Sequence, residues 1–521
     1  MRRPRGFGTL AISVILVASL YACRSQEDHS VGQKYYLDTA GDDGGDGSVD
    51  NPWKTIAKLN SIDLEPGDSV FLLSNTSFGG TIMIDSTDSG SSGHDVVITS
   101  SGEGLAVVDG GNGPAVQIEG SSYVLVRRLH LVGSGRKEGN TTNGLQISNC
   151  DHVTIAEVDI EKFQKAGLMI HQSADVLVTG VTAHDNGAAG IAVDGSGLKS
   201  DNRNITIRDS RAENNPGDPT NFTNHSGNGI VIGRATNVLI EYCSATNNGW
   251  DMPRKGNGPV GIWAYEADSV VIQYCISYRN KTSPGGEDGG GFDLDGGVTN
   301  SIIQYCLTYE NQGSGFGVFQ YDGASPWKNN TIRFNVSEND GLVSTAHAGF
   351  YIWNGSGDAN GFTDCFIYNN TIVNESGSII RYHAESERRR FAYYNNIFVA
   401  SGSLLEGSVS DDKFLGNSWW SLPGGFNVKG EKSFARWAAA MKQETLDGRV
   451  IGQNVAPEFV EPRAGLITQP RDLAACRRYI LNDQSPLRAN GINLRDVPGI
   501  SDIGQQPGTS MAVGASFKNE N

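Results

Sequence analysis

Short segments in which apolar and polar residues alternate recur along most of this chain. Alternation with a period of two indicates strands that bury one face. Each unit opens with glycine and an apolar-x-apolar triplet, continues with a second strand of the Val-x-Ile type, and ends in an asparagine-rich corner. The opening glycines are Gly144, Gly167, Gly190, Gly229, Gly261, Gly291, Gly315 and Gly349.

Units of unequal length that keep the same strands predict stacked coils whose extra residues bulge out at one turn. Aligning the units gives one column at the corner after the second strand: Gly180, Ser210, Cys243, Cys275, Cys306, Asn335, Asn370 and Asn396. Small and amide side chains suit such a corner, because each amide can bond its neighbour about 4.8 Å away on the next coil. The three cysteines are therefore interpreted as a buried ladder and not as a metal or redox site.

The coil repeats, the Pro66–Leu72 element and the closing Ser485-Pro486-Leu487 segment resemble the right-handed parallel β-helix proteins of the pectate-lyase-like superfamily. The resemblance covers roughly residues 35–405. It implies an all-β fold, a single-stranded right-handed parallel β-helix of about ten or more coils. It also implies a carbohydrate-active protein, although this scaffold hosts hydrolases, lyases, epimerases and adhesins alike.

Both ends of the solenoid are expected to be capped. Helical apolar spacing over Pro52–Leu59 predicts a short helix that plugs the N-terminal end. Residues 406–521 break the repeat, and Ser433–Glu444 has a helical pattern around Trp437. We interpret this region as a C-terminal cap, because the last coil would otherwise present unpaired strand edges.

The N-terminus predicts export. Arginines precede an apolar run from Leu10 to Ala22 that is too short to span a membrane as a helix, which is typical of a signal peptide over residues 1–22. The junction at Cys23 resembles a bacterial lipobox, and the acidic residues after it resemble a surface-export tag of Bacteroides lipoproteins. Lipidation of Cys23 would anchor the protein, through a tether over residues 23–34, as an outer-membrane or cell-surface lipoprotein.

Composition narrows the possible partners. The 521 residues include 67 glycines, far above the usual share of about 7%, which favours short strands and tight turns. The net charge of −17 argues against nucleic acid and anionic membrane surfaces as partners. We expect a monomer with no required cofactor, although such acidity is compatible with calcium.

Candidate chemistry concentrates in the stretch Gly289–Gly297. If Phe292 and Leu294 point inward, Asp293 and Asp295 point outward on one face, roughly 6.5–7 Å apart along the strand. Two exposed carboxylates at that spacing repel one another, so fold stability does not explain them. The pattern predicts that they bind a ligand or carry out chemistry, with repulsion raising the pKa of one of them.

The outward columns predict a groove around this pair. Counting each opening glycine as zero, positions two and four supply Trp263, Tyr265, Phe319, Tyr351 and Trp353, and a later unit near Ile380 adds Arg381 and His383. Exposed aromatic residues in a row favour a ligand with flat apolar faces, such as a sugar, unless loops simply cover them. Inserted loops bring further polar candidates: Lys255, Glu287, Asp288 and His347.

Three functions remain open at this point. An inverting glycoside hydrolase holds two carboxylates about 6.5–9.5 Å apart, which the strand pair satisfies. The paired strand aspartates, and no other motif, resemble the polygalacturonase-like hydrolases, which place aspartates on a strand of the same β-helix. A uronate lyase or epimerase would use Asp293, Asp295, Glu287 and Asp288 as calcium ligands and Lys255, Arg254 or Arg381 as the base. The third is a surface glycan-binding protein without catalysis. We favour the hydrolase, with those four acids as catalytic candidates, a polysaccharide or oligosaccharide as ligand, and no assigned metal site.

Overall fold

The computed structural model describes residues 32–343, 348–384, 386–409, 411–422, 424–461, 466–477, 479–494 and 513–515. The chain divides into the units Met1–Val31 and Gly32–Asn521. The signal-peptide and Cys23 predictions lie outside the described residues, and so does His347.

Three long parallel sheets wind as a right-handed β-helix, which confirms the predicted fold. The first sheet has 14 strands: Lys34–Leu37, Ser69–Leu73, Val96–Ser101, Ser122–Arg127, Asp151–Ala156, Ala174–Thr179, Asn202–Arg208, Ala235–Glu241, Asp268–Gln273, Ile302–Gln304, Trp327–Arg333, Phe362–Tyr368, Arg389–Tyr394 and Lys413–Leu415.

The second sheet, which carries the repeated glycine motif, has 12 strands: Ile82–Ile84, Val116–Glu119, Leu145–Ser148, Ala166–His171, Ala189–Asp194, Asn228–Gly233, Val260–Tyr265, Gly290–Leu294, Phe316–Gln320, Ala348–Asn354, Ser378–Tyr382 and Leu405–Glu406. The third sheet has 13 strands: Ser77–Gly79, Ala106–Gly111, Leu129–Gly133, Asp159–Glu161, Thr182–His184, Arg211–Glu213, Ser244–Thr246, Ile276–Tyr278, Leu307–Tyr309, Val336–Glu338, Thr371–Asn374, Ile397–Ala400 and Ser418–Ser421.

Each complete coil contributes one strand to each sheet, and the inward faces form a continuous core. On the second sheet Phe292, Phe316 and Phe350 are fully buried on consecutive coils, with ring centroids 5.8 and 5.2 Å apart. This stacking holds the strand Gly290–Leu294 in a defined register, so the outward side chains of that strand are held as well.

The predicted corner column is a hydrogen-bonded ladder. The side-chain amides of Asn335, Asn370 and Asn396 each donate to the next asparagine at 2.9–3.0 Å, and the last of these acceptors is Asn417. Asn417 in turn donates at 2.8 Å to Glu444, a buried acid whose pKa burial raises to about 7. The cysteines continue the column on earlier coils: Cys243, Cys275 and Cys306 are buried, free and in mutual contact, as expected.

The N-terminal cap is the short helix Ile56–Leu59, which begins after Thr55 and buries Ile56 and Leu59 against the core. At the other end, the helix Phe434–Met441 lies within the predicted helical range. Its Trp437 packs 5.1 Å from the Trp419 ring on the last coil.

The predicted boundary of the solenoid at residue 405 is one coil too early. The strands Lys413–Leu415 and Ser418–Ser421 still pair with the first and third sheets. The sequence pattern missed them because aromatic residues replace the usual apolar residues of the repeat, although the period of two is kept. The remaining elements are the antiparallel pair Thr445–Leu446 and Arg449–Val450 and the 3₁₀ helices Ala359–Gly361, Pro470–Ala475 and Pro486–Arg488.

The C-terminal region does more than cover the last coil. Its Arg471 forms an ion pair with Asp209 at 2.6 Å and lies 4.3 Å from the Tyr242 ring, and Tyr309 donates to the Ile467 carbonyl at 3.1 Å. The segment therefore returns along the side of the solenoid, over earlier coils. Among the described residues, no helix has both the length and the apolar character needed to cross a bilayer.

Candidate functional site

The strand register confirms the predicted outward column on the second sheet. Trp263 pairs with Asp293, Asp293 with Gly317, and Gly317 with Tyr351 on successive coils. Phe319 pairs with Trp353 in the neighbouring column. Side chains that the chain separates by up to about 90 residues are thus neighbours on one face.

A groove of about 510 Å³ lies on this face. Its acids are Asp194, Glu287, Asp288, Asp293 and Asp295. Its aromatic residues are Trp263, Tyr265, Phe319, Tyr321, Tyr351 and Trp353. Its basic residues are His225, Arg234, Arg254 and His383. The structure therefore brings together all four predicted acids and all five predicted aromatic residues.

Asp293 lies at the floor of the groove and is only 2% exposed, so the expectation of an exposed carboxylate is wrong for this residue. Val260 and Phe319, both buried, line the space around it. Its Oδ1 atom is buried without a hydrogen-bond partner. Burial raises the pKa of Asp293 well above its usual range, and the charges of Asp295 and Asp288 raise it further.

Asp295 is half-buried and directly follows the strand Gly290–Leu294, so only Asp293 of the predicted pair lies on the strand itself. Its backbone N–H donates to the Ala264 carbonyl at 2.8 Å, and its Oδ1 accepts from the Gly296 N–H at 2.6 Å. Burial raises the pKa of Asp295 to about 7, with Asp288 and Glu266 adding to the shift. The predicted splitting of the two pKa values by mutual repulsion is therefore a secondary effect, since burial is the larger cause for both residues.

Two more acids lie above the pair. Asp288 accepts a hydrogen bond from the Gly258 N–H at 2.8 Å, and burial raises its pKa to about 6. Glu287 beside it is exposed at the rim. The groove can therefore hold protonated and ionised carboxyl groups side by side near neutral pH.

The aromatic residues divide into two groups. Trp263 and Phe319 are only 3% and 8% exposed. Neighbouring protein groups therefore cover these two rings, as in the alternative to a sugar-stacking role. Tyr265, Tyr351 and Trp353 are only half-buried and present ring surface to the groove. Sugar stacking is therefore open to these three residues.

Two predicted basic contacts do not reach the groove, and one does. Lys255 is exposed and lies against Gly285, outside the lining, because its loop directs the neighbouring Arg254 inward instead. Arg381 forms an ion pair with Glu406 at 2.8 Å on the next coil and is also absent from the lining. His383 lines the groove and is exposed, with its ring 6.4 Å from Tyr351.

Sequence reasoning missed several residues that shape the groove. Asp194 and Arg234 form an ion pair at 2.7 Å, and the Arg234 guanidinium lies 5.6 Å from the Tyr265 ring. The Tyr321 ring covers Gly296, where a Cβ would approach it to 2.4 Å. Asp194 stands four residues after Gly190, which is an outward position of its unit, so its placement could be found from the sequence.

Among the described residues, no three of the groove acids have ligand atoms within 4.8 Å of one another. A calcium ion needs several oxygen ligands at about 2.3–2.6 Å from one centre. In the described part of the chain, the one group of three or more His, Cys, Asp or Glu residues with ligand atoms within 4.8 Å of one another is Glu161, His184 and Asp185. That group belongs to the third sheet and its following turn, not to the groove.

Three parallel sheets define a parallel β-helix protein, and an acidic, aromatic-lined groove lies on its second sheet. The chain belongs to the Pel9A-like right-handed β-helix family, whose family model matches residues 35–348.

Similar solved structures share little sequence identity with this chain. The GH136 lacto-N-biosidase from Eubacterium ramulus is 16% identical, with a TM-score of 0.51, over 72% of this chain and 68% of its own. Pectate lyase Pel9A is 16% identical, with a TM-score of 0.49, over 94% of this chain and 97% of its own. No curated protein matches the sequence.

Proposed function

We propose that the groove is the active site of a glycan-cleaving enzyme, an inverting glycoside hydrolase in which Asp293 is the general acid and Asp295 the general base. The observation that carries this proposal is the buried Asp293 carboxyl, with one oxygen unpartnered, at the floor of an aromatic-lined groove. A buried polar atom without a partner costs about 1–3 kcal/mol, so a bound ligand that hydrogen-bonds to it offsets a cost already present in the fold.

The raised pKa values suit the two roles. Burial raises the pKa of Asp293 well above its usual range, which favours the protonated form that a general acid needs, and it raises the pKa of Asp295 to about 7, so that a share of this group is ionised near neutral pH as a base must be. Asp295 directly follows the strand that carries Asp293, and two residues of strand span roughly 6.5–7 Å of backbone, which is comparable with the carboxyl separation of about 6.5–9.5 Å in inverting enzymes.

The chemical step then follows. Asp293 gives its proton to the glycosidic oxygen as the bond between that oxygen and the anomeric carbon breaks. A water molecule attacks the anomeric carbon from the opposite face and gives a proton to Asp295. The products are two shortened glycans, with inverted configuration at the new reducing end.

Substrate contacts come from the rim. Tyr265, Tyr351 and Trp353 offer half-exposed rings for sugar faces, and His383 offers a polar group among them. A pure binding protein would need the rings and the rim but not a buried, unpartnered carboxyl, which favours catalysis over binding alone.

A lyase or epimerase is the second candidate, and one observation favours it. Arg254 is the only one of the three predicted bases that lines the groove, and its guanidinium donates to the Asn257 carbonyl at a long 3.4 Å. A cation in that position could contact a uronate carboxylate or remove a proton beside it.

One screen separates these functions. Plant, algal and animal polysaccharides are incubated with the protein in parallel with added calcium and with EDTA, and reducing ends and the ultraviolet absorbance of unsaturated products are recorded. Reducing ends without absorbance support hydrolysis, and absorbance supports the lyase. Asp293→Asn and Asp295→Asn should each lower turnover of the cleaved substrate at least about 1000-fold, whereas the exposed control Asp50→Asn should not. Activity within tenfold of wild type in both variants would overturn the assignment.

A further inference from the structure

A second cavity, of about 390 Å³, adjoins the groove on the coils that precede Asp293. The two spaces share Asp194, Asn224, His225 and Tyr265 in their linings, so they form one continuous surface. None of the proposed catalytic acids lines the second cavity. It therefore needs a role of its own.

Its floor is a notch in the outward column of the second sheet. Met169 pairs with Ala192, Ala192 with Val231, and Val231 with Trp263. Small side chains at Ala192 and Val231 thus lie between two large ones. Ala192 is three strands from Asp293, about 14 Å along the solenoid axis, so the notch lies beyond the sugar unit that contacts the acid.

The charged groups around this cavity are compensated. Lys165 lines it and forms an ion pair with Asp218, whose side chain is buried. Asp194 is paired with Arg234. A ligand carboxylate would have to compete with these partners for either cation, whereas the apolar floor and the amides of Asn224 and Asn228 suit an uncharged sugar.

His225 stands at the boundary of the two spaces with a defined proton position. Two hydrogen bonds orient the side-chain amide of Asn228. Its oxygen accepts from the Trp263 indole N–H at 3.1 Å, and its nitrogen donates to the Ala188 carbonyl at 3.2 Å. The same amide nitrogen donates to His225 Nδ1 at 3.0 Å. Burial lowers the pKa of His225 to about 4, so the ring is neutral and its Nε2 carries the hydrogen.

We propose that this second cavity binds uncharged sugar units of the glycan chain that crosses Asp293, with His225 Nε2–H donating to a sugar oxygen at the boundary. This rests on the proposed function for the identity of the ligand as a glycan. It narrows the substrate class to chains whose units on this side of the cleavage point carry no carboxylate. It also makes the site long, so the protein prefers chains of several units.

The experiment measures binding and not cleavage. The Asp293→Asn protein is titrated calorimetrically with oligosaccharides of two and six units, from the neutral cello-, xylo-, manno-, laminari- and galacto- series and the charged galacturonate and mannuronate series. We expect a neutral series to bind, with the six-unit member at least tenfold tighter than the two-unit member. Binding of the charged series alone, or of no series, would overturn the proposal.

Two variants in the same background locate the subsite. Ala192→Trp should remove the gain in affinity from two to six units by filling the notch. The matched control Gln117→Trp changes the same outward column two strands beyond Met169 and should keep that gain. A six-unit affinity within twofold of the parent for Ala192→Trp would contradict the proposal.

His225→Phe provides a second measurement should the tryptophan variant fail to fold. It keeps a ring against Trp263, removes the Nε2–H donor, and should weaken six-unit binding at least tenfold; unchanged binding would contradict the role of His225. The result is independent of the catalytic assignment. If Asp293→Asn binds six-unit chains more tightly than two-unit chains but still cleaves them, the subsite is supported and the role of Asp293 as the acid is rejected. If it no longer cleaves but binds both lengths equally, the acid is supported and the subsite is rejected.

Discussion

Gly317 lies beside Asp293 on the adjacent coil, and a Cβ at Gly317 would come 2.9 Å from the Asp293 carboxyl group. The absence of a side chain at Gly317 is therefore what makes room for the buried acid. Phe319 limits the same space, because its ring would lie 2.8 Å from that Cβ.

We expect Gly317→Ala to displace the Asp293 carboxyl and lower kcat/KM on any cleaved glycan by about 100-fold, since small misplacements of reacting groups have effects of that size. Circular dichroism should still show the β-helix. The control Gly79→Ala, where a Cβ would meet no atom within 4 Å, should keep full activity. Full activity in Gly317→Ala would mean that the position of the Asp293 carboxyl does not matter for turnover.

The pH dependence of kcat/KM should be bell-shaped. With the proposed roles, the rising limb should report ionisation of Asp295, whose pKa is about 7, and the falling limb should report loss of the proton of Asp293, whose pKa burial raises well above its usual range. Asp288 raises the pKa of both residues, so Asp288→Asn should move both limbs to lower pH. If the midpoints of both limbs of the kcat/KM profile are unchanged in Asp288→Asn, groups other than Asp293 and Asp295 must cause the pH dependence.

Thermal stability should respond to pH in a matching way. Because the folded-state pKa of Asp295 is raised above the unfolded value of about 3.9, the folded state holds this proton more tightly. Its contribution to stability is fully present below pH 4 and is lost as pH rises to about 7. Asp295→Asn should therefore raise Tm relative to wild type at pH 8 and leave it unchanged at pH 3.5, as scanning calorimetry can test.

The asparagine ladder should be a main source of stability at the C-terminal coils. Asn370→Ala removes the acceptor of Asn335 and the donor to Asn396, which leaves buried polar groups unpaired and should cost roughly 2–4 kcal/mol. Ser134→Ala removes an exposed side-chain hydrogen bond to Asn112 and should cost less than about 0.5 kcal/mol. Equal costs in urea unfolding would contradict a special role for the buried ladder.

Membrane attachment is a separate prediction that rests on the sequence alone. Cys23→Ala should move the protein from the membrane fraction to the soluble fraction of the producing cells, because the acylated residue is removed. Ser25→Ala, two residues further on, should leave the fractionation unchanged. A Cys23→Ala protein that remains in the membrane fraction would contradict the lipobox interpretation.

The sequence alone determined the solenoid, the corner ladder and the outward columns. These follow from local rules: a period of two assigns each residue to a face, and the repeated glycine aligns one coil with the next. Because parallel coils stack in register, the neighbours of Asp293 could be named from the alignment of units, and Trp263 and Tyr351 were found in this way.

Burial, ion pairing and loop direction at the groove could be found only from the tertiary structure, because each depends on several coils and their loops together. The burial of Asp293 results from Val260 and Phe319 on the two flanking coils, and no single unit reveals it. The same holds for the loop that turns Arg254 into the groove and leaves Lys255 outside, and for the return of Arg471 to Asp209. Periodicity determines which face a residue occupies, but desolvation, ion pairing and loop direction are set by groups far apart in the chain, and these decide the chemistry of the site.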